Sequence, residues 1–156
     1  MLSKKRDPKD IGNYRPISML SNIYKLFSSL INQRISKTLD ASQSVEQAGF
    51  RKSYSTIHHI RTLELLIQKY QEIRKPLYIA YIDYQKAFDT LSHASIWHSL
   101  ATQMVEDKYI KIIKSIYGNS KGRIKLEATG PWFPMQRSVR QGDPLSPKLF
   151  IAILES

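Results

Sequence analysis

Apolar residues recur every three or four positions from Leu20 to Leu39: Leu20, Ile23, Tyr24, Phe27, Leu30, Ile31, Ile35 and Leu39. That spacing is one face of a helix, with Ser18 or Ser21 positioned to cap it. A polar stretch from Asp40 to Gln47 interrupts the pattern before Gly49. A second helix is expected behind the caps Ser55 and Thr56, with Ile57, Ile60, Leu63, Ile67 and Tyr70 as its apolar stripe. Arg61, Glu64, Gln68 and Lys69 lie on its outer face. Lys75-Pro76 ends it, because the residue before a proline is pushed out of the helical region.

The pattern then changes. Leu77-Tyr78-Ile79-Ala80-Tyr81-Ile82 is a short apolar run, rich in aromatic and β-branched side chains, which predicts a buried central strand ending at Asp83. Two shorter helices are expected at 93–103 and 107–117, the second stopped by Gly118 and Asn119. Arg123 to Ala128 alternates polar and apolar, as a half-buried strand does, and Thr129-Gly130-Pro131 turns it. Pro147 after Ser146 opens a last helix. Helices, a buried strand, further helices and hairpin-like strands predict an α+β fold.

Charge adds a partner. Twenty-four Lys and Arg against thirteen Asp and Glu leave a formal net charge of +11, and residues 1–75 hold fourteen of the basic groups and six of the acidic ones. Such an excess concentrates polyanions, nucleic acid first among them. With no cysteine in the chain, disulfides, thiolate zinc sites and cysteine nucleophiles are excluded. No apolar run approaches the roughly 20 residues of a membrane span. The start MLSKKRDPKD lacks the apolar stretch of a secretory signal. An intracellular protein, cytoplasmic or nuclear and not secreted, is therefore expected.

Asp83 ends an otherwise apolar run. A carboxylate there is costly to bury unless it is paired or binds a metal, and on the residues alone a cap for the next turn explains it equally well. Its surroundings carry more information. Tyr81-Ile82-Asp83-Tyr84-Gln85-Lys86-Ala87-Phe88-Asp89, followed by His93, resembles the first catalytic motif of reverse transcriptases, in the form found in non-LTR retrotransposons and group II intron relatives. Val139-Arg140-Gln141-Gly142-Asp143-Pro144-Leu145-Ser146-Pro147 resembles the family's Arg-Gln-Gly-Asp-Pro-Leu-Ser-Pro motif. Asn13-Tyr14-Arg15-Pro16-Ile17-Ser18 is similar to its fingers motif, and Gln47-Ala48-Gly49-Phe50-Arg51-Lys52 to the one after it. The motifs stand in the family's order and span residues 13 to 150, nearly the whole chain.

The resemblance implies part of a right-hand polymerase fold, with fingers over residues 1–75 and the start of the palm over 76–156, helices packing on an incomplete antiparallel sheet. It implies an RNA-directed DNA polymerase acting on an RNA template, a DNA primer and deoxynucleotides, with two Mg²⁺ ions clamping the attacking and leaving oxygens. Asp83 would be the catalytic carboxylate and a metal ligand, and the carbonyl of Tyr84 a further ligand beside the nucleotide. Arg15, with Lys5 or another nearby lysine, would grip the triphosphate, a task suited to the planar guanidinium. Phe88 would act as the steric gate against a ribose 2′-hydroxyl, although core packing explains a lone phenylalanine as well. Gln141 and Gly142 would lie beside the incoming nucleotide, and Gly49, Phe50 and Arg51 along the template. Asp89 and His93 read as structural, as candidate caps of the next helix, and Asp143 as a cap or turn former. Ser138 departs from the family, where glycine is usual.

The family's metal site also draws two carboxylates from an aromatic-x-Asp-Asp hairpin, and this sequence contains no Asp-Asp pair. A fragment, cut before its catalytic centre is complete and inactive alone, is therefore expected. The alternative is a non-catalytic, basic nucleic-acid-binding remnant of a retrotransposon.

Overall fold

The computed structural model describes residues 2–3, 9, 14–15, 17–51, 53–125 and 128–156. In chain order its elements are β1 (Leu2–Ser3), β2 (Tyr14–Arg15), α1 (Asn22–Ser42), α2 (Thr56–Glu72), α3 (Ala87–Thr90), α4 (His93–Thr102), α5 (Asp107–Gly118), β3 (Lys121–Gly122), β4 (Phe133–Pro134) and α6 (Ser146–Leu154). β1 pairs antiparallel with β2 and β3 with β4, each as a separate two-stranded ladder.

The expected helices form, and their ends have local causes. Ser21 caps α1, its hydroxyl accepting from the Tyr24 N–H at 3.2 Å. Ser55 caps α2 by accepting from Ile57 N–H at 3.2 Å. α2 stops at Glu72, ahead of Pro76. Arg74 turns left-handed (φ 49°), the Lys75 N–H bonds the Tyr70 carbonyl, and the Arg74 N–H bonds that of Gln71. The same closure ends α4: Met104 has φ 61°, and Val105 N–H reaches back to the Leu100 carbonyl. This is the Schellman pattern, built here without its usual glycine.

The core lies where α1, α4, α5 and α6 meet. Ile31, Ile35 and Leu39 of α1 join Ile96 and Leu100 of α4, Ile110, Ile113 and Tyr117 of α5, and Leu149 and Ala152 of α6; Val105, Val139 and Leu145 close it from the loops. Among the described residues these four helices pack on one another, and the antiparallel pairing present is limited to the two short ladders. Mixed helix and strand content is as predicted, with helix dominant.

Three expectations are corrected. Leu77–Ile82 belongs to no strand, and Tyr78 and Ile82 are 90% and 80% exposed. A strand is stable only when neighbours satisfy its backbone groups, and among the described residues none lies alongside. Strand formation and burial both depend on partners that local sequence does not specify. The apolar stripe of α2 is likewise exposed, Ile57 to 69%, and no residue of that helix is buried. Of the strand expected at Arg123–Ala128, residues 126 and 127 lie outside the described residues; among the described ones the ladder sits at Lys121–Gly122, with an isolated bridge between Lys125 and Thr129.

Candidate nucleotide and template site

The four motifs meet around the loop that precedes α6. The Gln141 carbonyl accepts the Ser18 N–H at 2.9 Å. The next residue, Gly142, has φ 102°, and a β-carbon there would lie 3.3 Å from the Ser18 carbonyl oxygen. Both the conformation and the close approach favour glycine. The end of the fingers motif, at Ser18, is thus pressed against the motif at Gln141–Gly142.

Asp143 anchors this loop. It is buried, and its carboxyl accepts from the Tyr24 hydroxyl at 2.6 Å, from the Ser28 hydroxyl, and from Leu145 N–H at 3.0 Å. The last of these, with Ser146 N–H bonded to the Asp143 carbonyl, forms the turn into α6, as read from the sequence. The two bonds to α1 were missed. A signal existed: Ser28 falls in register with Tyr24, Ile31, Ile35 and Leu39, a polar residue on the buried face. Arg140 holds the other side, donating to the Ile116 carbonyl at 3.2 Å and to the Ser120 hydroxyl. Its guanidinium lies 5.0 Å from the Tyr24 ring centre and 5.2 Å from that of Tyr117. Burial pushes the phenols of both tyrosines up, Tyr117 to about 12. For Tyr24 the hydrogen bond to Asp143 adds to the effect.

Phe88, on α3, stacks on Phe150 with ring centres 4.8 Å apart, and Phe50 meets it edge-on at 6.2 Å. The structure therefore brings together Phe50, expected along the template, and Phe88, expected beside the nucleotide. Phe50 has φ 55°, and Gly49 N–H bonds the Gln47 side-chain oxygen at 2.8 Å. Arg51 turns inward: it donates to the Ser44 carbonyl at 2.8 Å and the Asp40 carbonyl at 3.4 Å, closing the end of α1, and stacks 4.1 Å from the Tyr54 ring centre. Phe50 also lines an open groove of about 460 Å³ with Asn32, Gln33, Ser36, Asp40 and Lys148.

The stretch around Phe88 is tied to the loop before Arg140. Val139 N–H bonds the Phe88 carbonyl at 3.1 Å, Ser138 N–H bonds that of Leu91 at 2.9 Å, and Ser92 bridges Arg137. Ser92, not Asp89 or His93, caps α4. His93 instead reaches the Ser138 carbonyl through Nε2 at 3.2 Å.

Asp83 and Tyr84 stand exposed at the end of the Leu77–Ile82 segment. Among the described residues no group of three His, Cys, Asp or Glu could hold a metal ion. One exposed carboxylate does not make a two-ion site, so the residues described here do not by themselves fit the pair of Mg²⁺ ions. Arg15 lies in β2, where its backbone pairs with Leu2; its side chain, and Lys5 entirely, lie outside the described residues. No described helix is long and apolar enough to cross a membrane.

The profile of the family described as reverse transcriptase (RNA-dependent DNA polymerase) matches residues 3–156. The Retrovirus-related Pol polyprotein from type-1 retrotransposable element R2 of Nasonia vitripennis is 31% identical over 157 residues, covering 100% of this chain and 15% of that protein. Its counterpart from Popillia japonica is 29% identical, covering 99% of this chain and 22% of the relative. The RNA-directed DNA polymerase from mobile element jockey of Drosophila melanogaster is 24% identical over 93% of this chain and 16% of its own length. The chain thus spans less than a quarter of each of these relatives.

Proposed function

The chain belongs to the reverse transcriptase (RNA-dependent DNA polymerase) family, and from that premise we propose that it supplies the nucleotide- and template-holding part of an RNA-directed DNA polymerase of the non-LTR retrotransposon type. Residues 1–75 would serve as fingers and 76–156 as the start of a palm. The observation that carries this reading is a run of contacts between residues remote in sequence: Ser18 with the Gln141–Gly142 loop, Val139 with Phe88, and Phe88 with Phe50.

In this reading Gln141 and Gly142 present an uncrowded edge to a base pair, with the glycine keeping the backbone accessible. Phe88, braced from both sides by Phe50 and Phe150, has little freedom to swing away. A braced ring is what exclusion of a 2′-hydroxyl needs, since a mobile one would yield. Arg15 and Lys5 would neutralise the triphosphate, and Gly49, Phe50 and Arg51 would border the template. The Arg51 guanidinium would have to leave the α1 carbonyls to do so. The family generally uses divalent metal ions. Asp83 would be one carboxylate among the several that such a site requires, and for that reason we expect no polymerisation by the 156 residues alone.

The test is primer extension on an RNA template by the element's protein carrying this domain. Asp83→Asn should abolish extension, and Phe88→Val should raise ribonucleotide incorporation with little loss of deoxynucleotide incorporation. Extension that survives Asp83→Asn would overturn the reading. The net charge of +11 favours one other reading, a non-catalytic nucleic-acid-binding role. RNA binding that persists in a protein with no extension activity would select it.

A further inference from the structure

Between α5 and the Arg140 loop, the hairpin carrying β3 and β4 displays an aromatic ring flanked by cations. The ladder pairs Lys121 with Pro134 and Gly122 with Phe133, so the next pair along is Arg123 and Trp132. They are in contact, with the guanidinium 4.7 Å from the indole centre. Alternation along a strand puts Lys121, Arg123 and Trp132 on one face. On the other face, Phe133 lies over Gly122, where a β-carbon would come within 3.2 Å of its ring. The hairpin is fastened at its base by Met135 N–H to the Ser120 carbonyl at 3.0 Å and near its tip by Gly130 N–H to the Ile124 carbonyl at 2.9 Å.

Trp132 remains 61% exposed on this braced support. An exposed indole on a fixed support offers a flat face on which another ring can stack. The surroundings identify the kind of partner. From Asn119 to Arg137 the sequence holds Lys121, Arg123, Lys125 and Arg137 against a single acid, Glu127. An apolar protein partner would have to desolvate these cations, whereas a polyanion with flat faces satisfies both the ring and the charges. In a duplex the base faces are already stacked, so a single strand is the better fit.

We propose that the Lys121–Pro134 hairpin is a binding platform for single-stranded nucleic acid, with a base stacked on Trp132 and neighbouring phosphates held by Lys121 and Arg123. None of the residues assigned to nucleotide or template above belongs to it. The inference rests on the polymerase reading only for the presence of such a strand. RNA and DNA share the chemistry, and the experiment separates them.

The whole chain is titrated with a fluorescein-labelled oligouridylate of about ten nucleotides and with its deoxythymidylate counterpart, followed by anisotropy and by quenching of tryptophan emission. Quenching on binding is expected. Trp132→Ala should weaken binding about tenfold or more, while Trp132→Phe, which keeps a stacking face, should stay within about threefold. Arg123→Gln should flatten the plot of log affinity against log salt by about 0.7. Because Trp132 is exposed, its substitution should leave the thermal melt unchanged. If the wild-type chain binds and Trp132→Ala binds equally well, the platform is overturned while the polymerase reading stands. If the wild-type chain binds neither strand, both fall. A loss of self-association in Trp132→Ala, without a loss of nucleic-acid affinity, would overturn the platform in favour of a contact between copies.

Discussion

The Tyr24 hydroxyl donates to the Asp143 carboxyl at 2.6 Å across 119 positions of sequence. This bond ties the first turn of α1 to the loop that enters α6. Ser28, one helical turn further along α1, donates to the other carboxyl oxygen, and Leu145 N–H shares that oxygen. Gln141 and Gly142, two of the residues assigned to the nucleotide, are therefore positioned by a side chain that was read from the sequence only as a turn former. Shape at the site and stability of the α1–α6 packing depend on the same group.

Asp143→Ala would leave the Tyr24 and Ser28 hydroxyls and the Leu145 N–H short of an acceptor in a buried place. A cost of about 2–4 kcal/mol is expected, against about 1–2 kcal/mol for Tyr24→Phe, which removes a single donor. Urea unfolding followed by circular dichroism measures both. A cost for Asp143→Ala no larger than that for Tyr24→Phe would show that the shared acceptor is not what holds the loop.

The two tyrosines also predict an alkaline limit. In the folded chain Tyr117 is pushed up by burial from 10.0 to about 12, and Tyr24 is shifted the same way by burial and by its bond to Asp143. A folded-state value above the unfolded one means that native protein holds the proton more tightly. The stabilisation is therefore complete below pH 10 and lost as pH rises through 12. For Tyr117 this amounts to about 2–3 kcal/mol. The urea midpoint should fall steeply over that range, and Tyr24→Phe should make the fall shallower. An unchanged slope in the variant would remove Tyr24 as a contributor.

Much of this was legible before the structure because helix signals are local. The 3.6-residue period placed α1 and α2, Ser21 and Ser55 are short-range caps, and Ser146-Pro147 marked the start of α6. Motif resemblance located Phe50, Phe88, Gln141 and Gly142, which do come together or lie against neighbouring motifs. What failed was non-local. Leu77–Ile82 has the composition of a buried strand, but burial requires neighbours, and composition does not name them. Nor does the sequence show that Arg51, read as bordering the template, would meet the carbonyls of Asp40 and Ser44. The Ser28–Asp143 bond was visible only as an anomaly, a serine on a buried face.

The motif resemblance implies glycine at the position of Ser138, and the φ of 76° there gives a side chain a physical cost. A β-carbon in the left-handed region opposes the adjacent carbonyl, a penalty of about 1–2 kcal/mol, and glycine gives part of this back through the greater freedom of its unfolded chain. Ser138→Gly should therefore stabilise the protein by about 0.5–1 kcal/mol, seen as a higher midpoint in thermal or urea unfolding. The bonds from Ser138 N–H to Leu91 and from its carbonyl to His93 use the backbone and should survive. Ser138→Ala keeps the β-carbon and should give no such gain. Equal midpoints for the Gly and Ala variants would count against strain at this position.

Lys148 raises a different question, because its side chain is only 8% exposed and its ammonium is paired with Asp40, itself 36% exposed. The pair joins the end of α1 to the first turn of α6. Removing the partner is more harmful than removing the pair, since it leaves a buried cation with nothing to offset its lost hydration. Asp40→Ala should cost about 1–3 kcal/mol, below the usual range for a buried pair because water still reaches the carboxylate. Lys148→Met, which fills nearly the same volume without charge, should cost less. In the double variant most of the Asp40→Ala penalty should disappear, because no uncompensated cation remains. Four urea midpoints close this cycle. Strict additivity would mean that the two groups do not interact energetically, leaving the α1–α6 packing to its apolar contacts and to the Asp143 bonds.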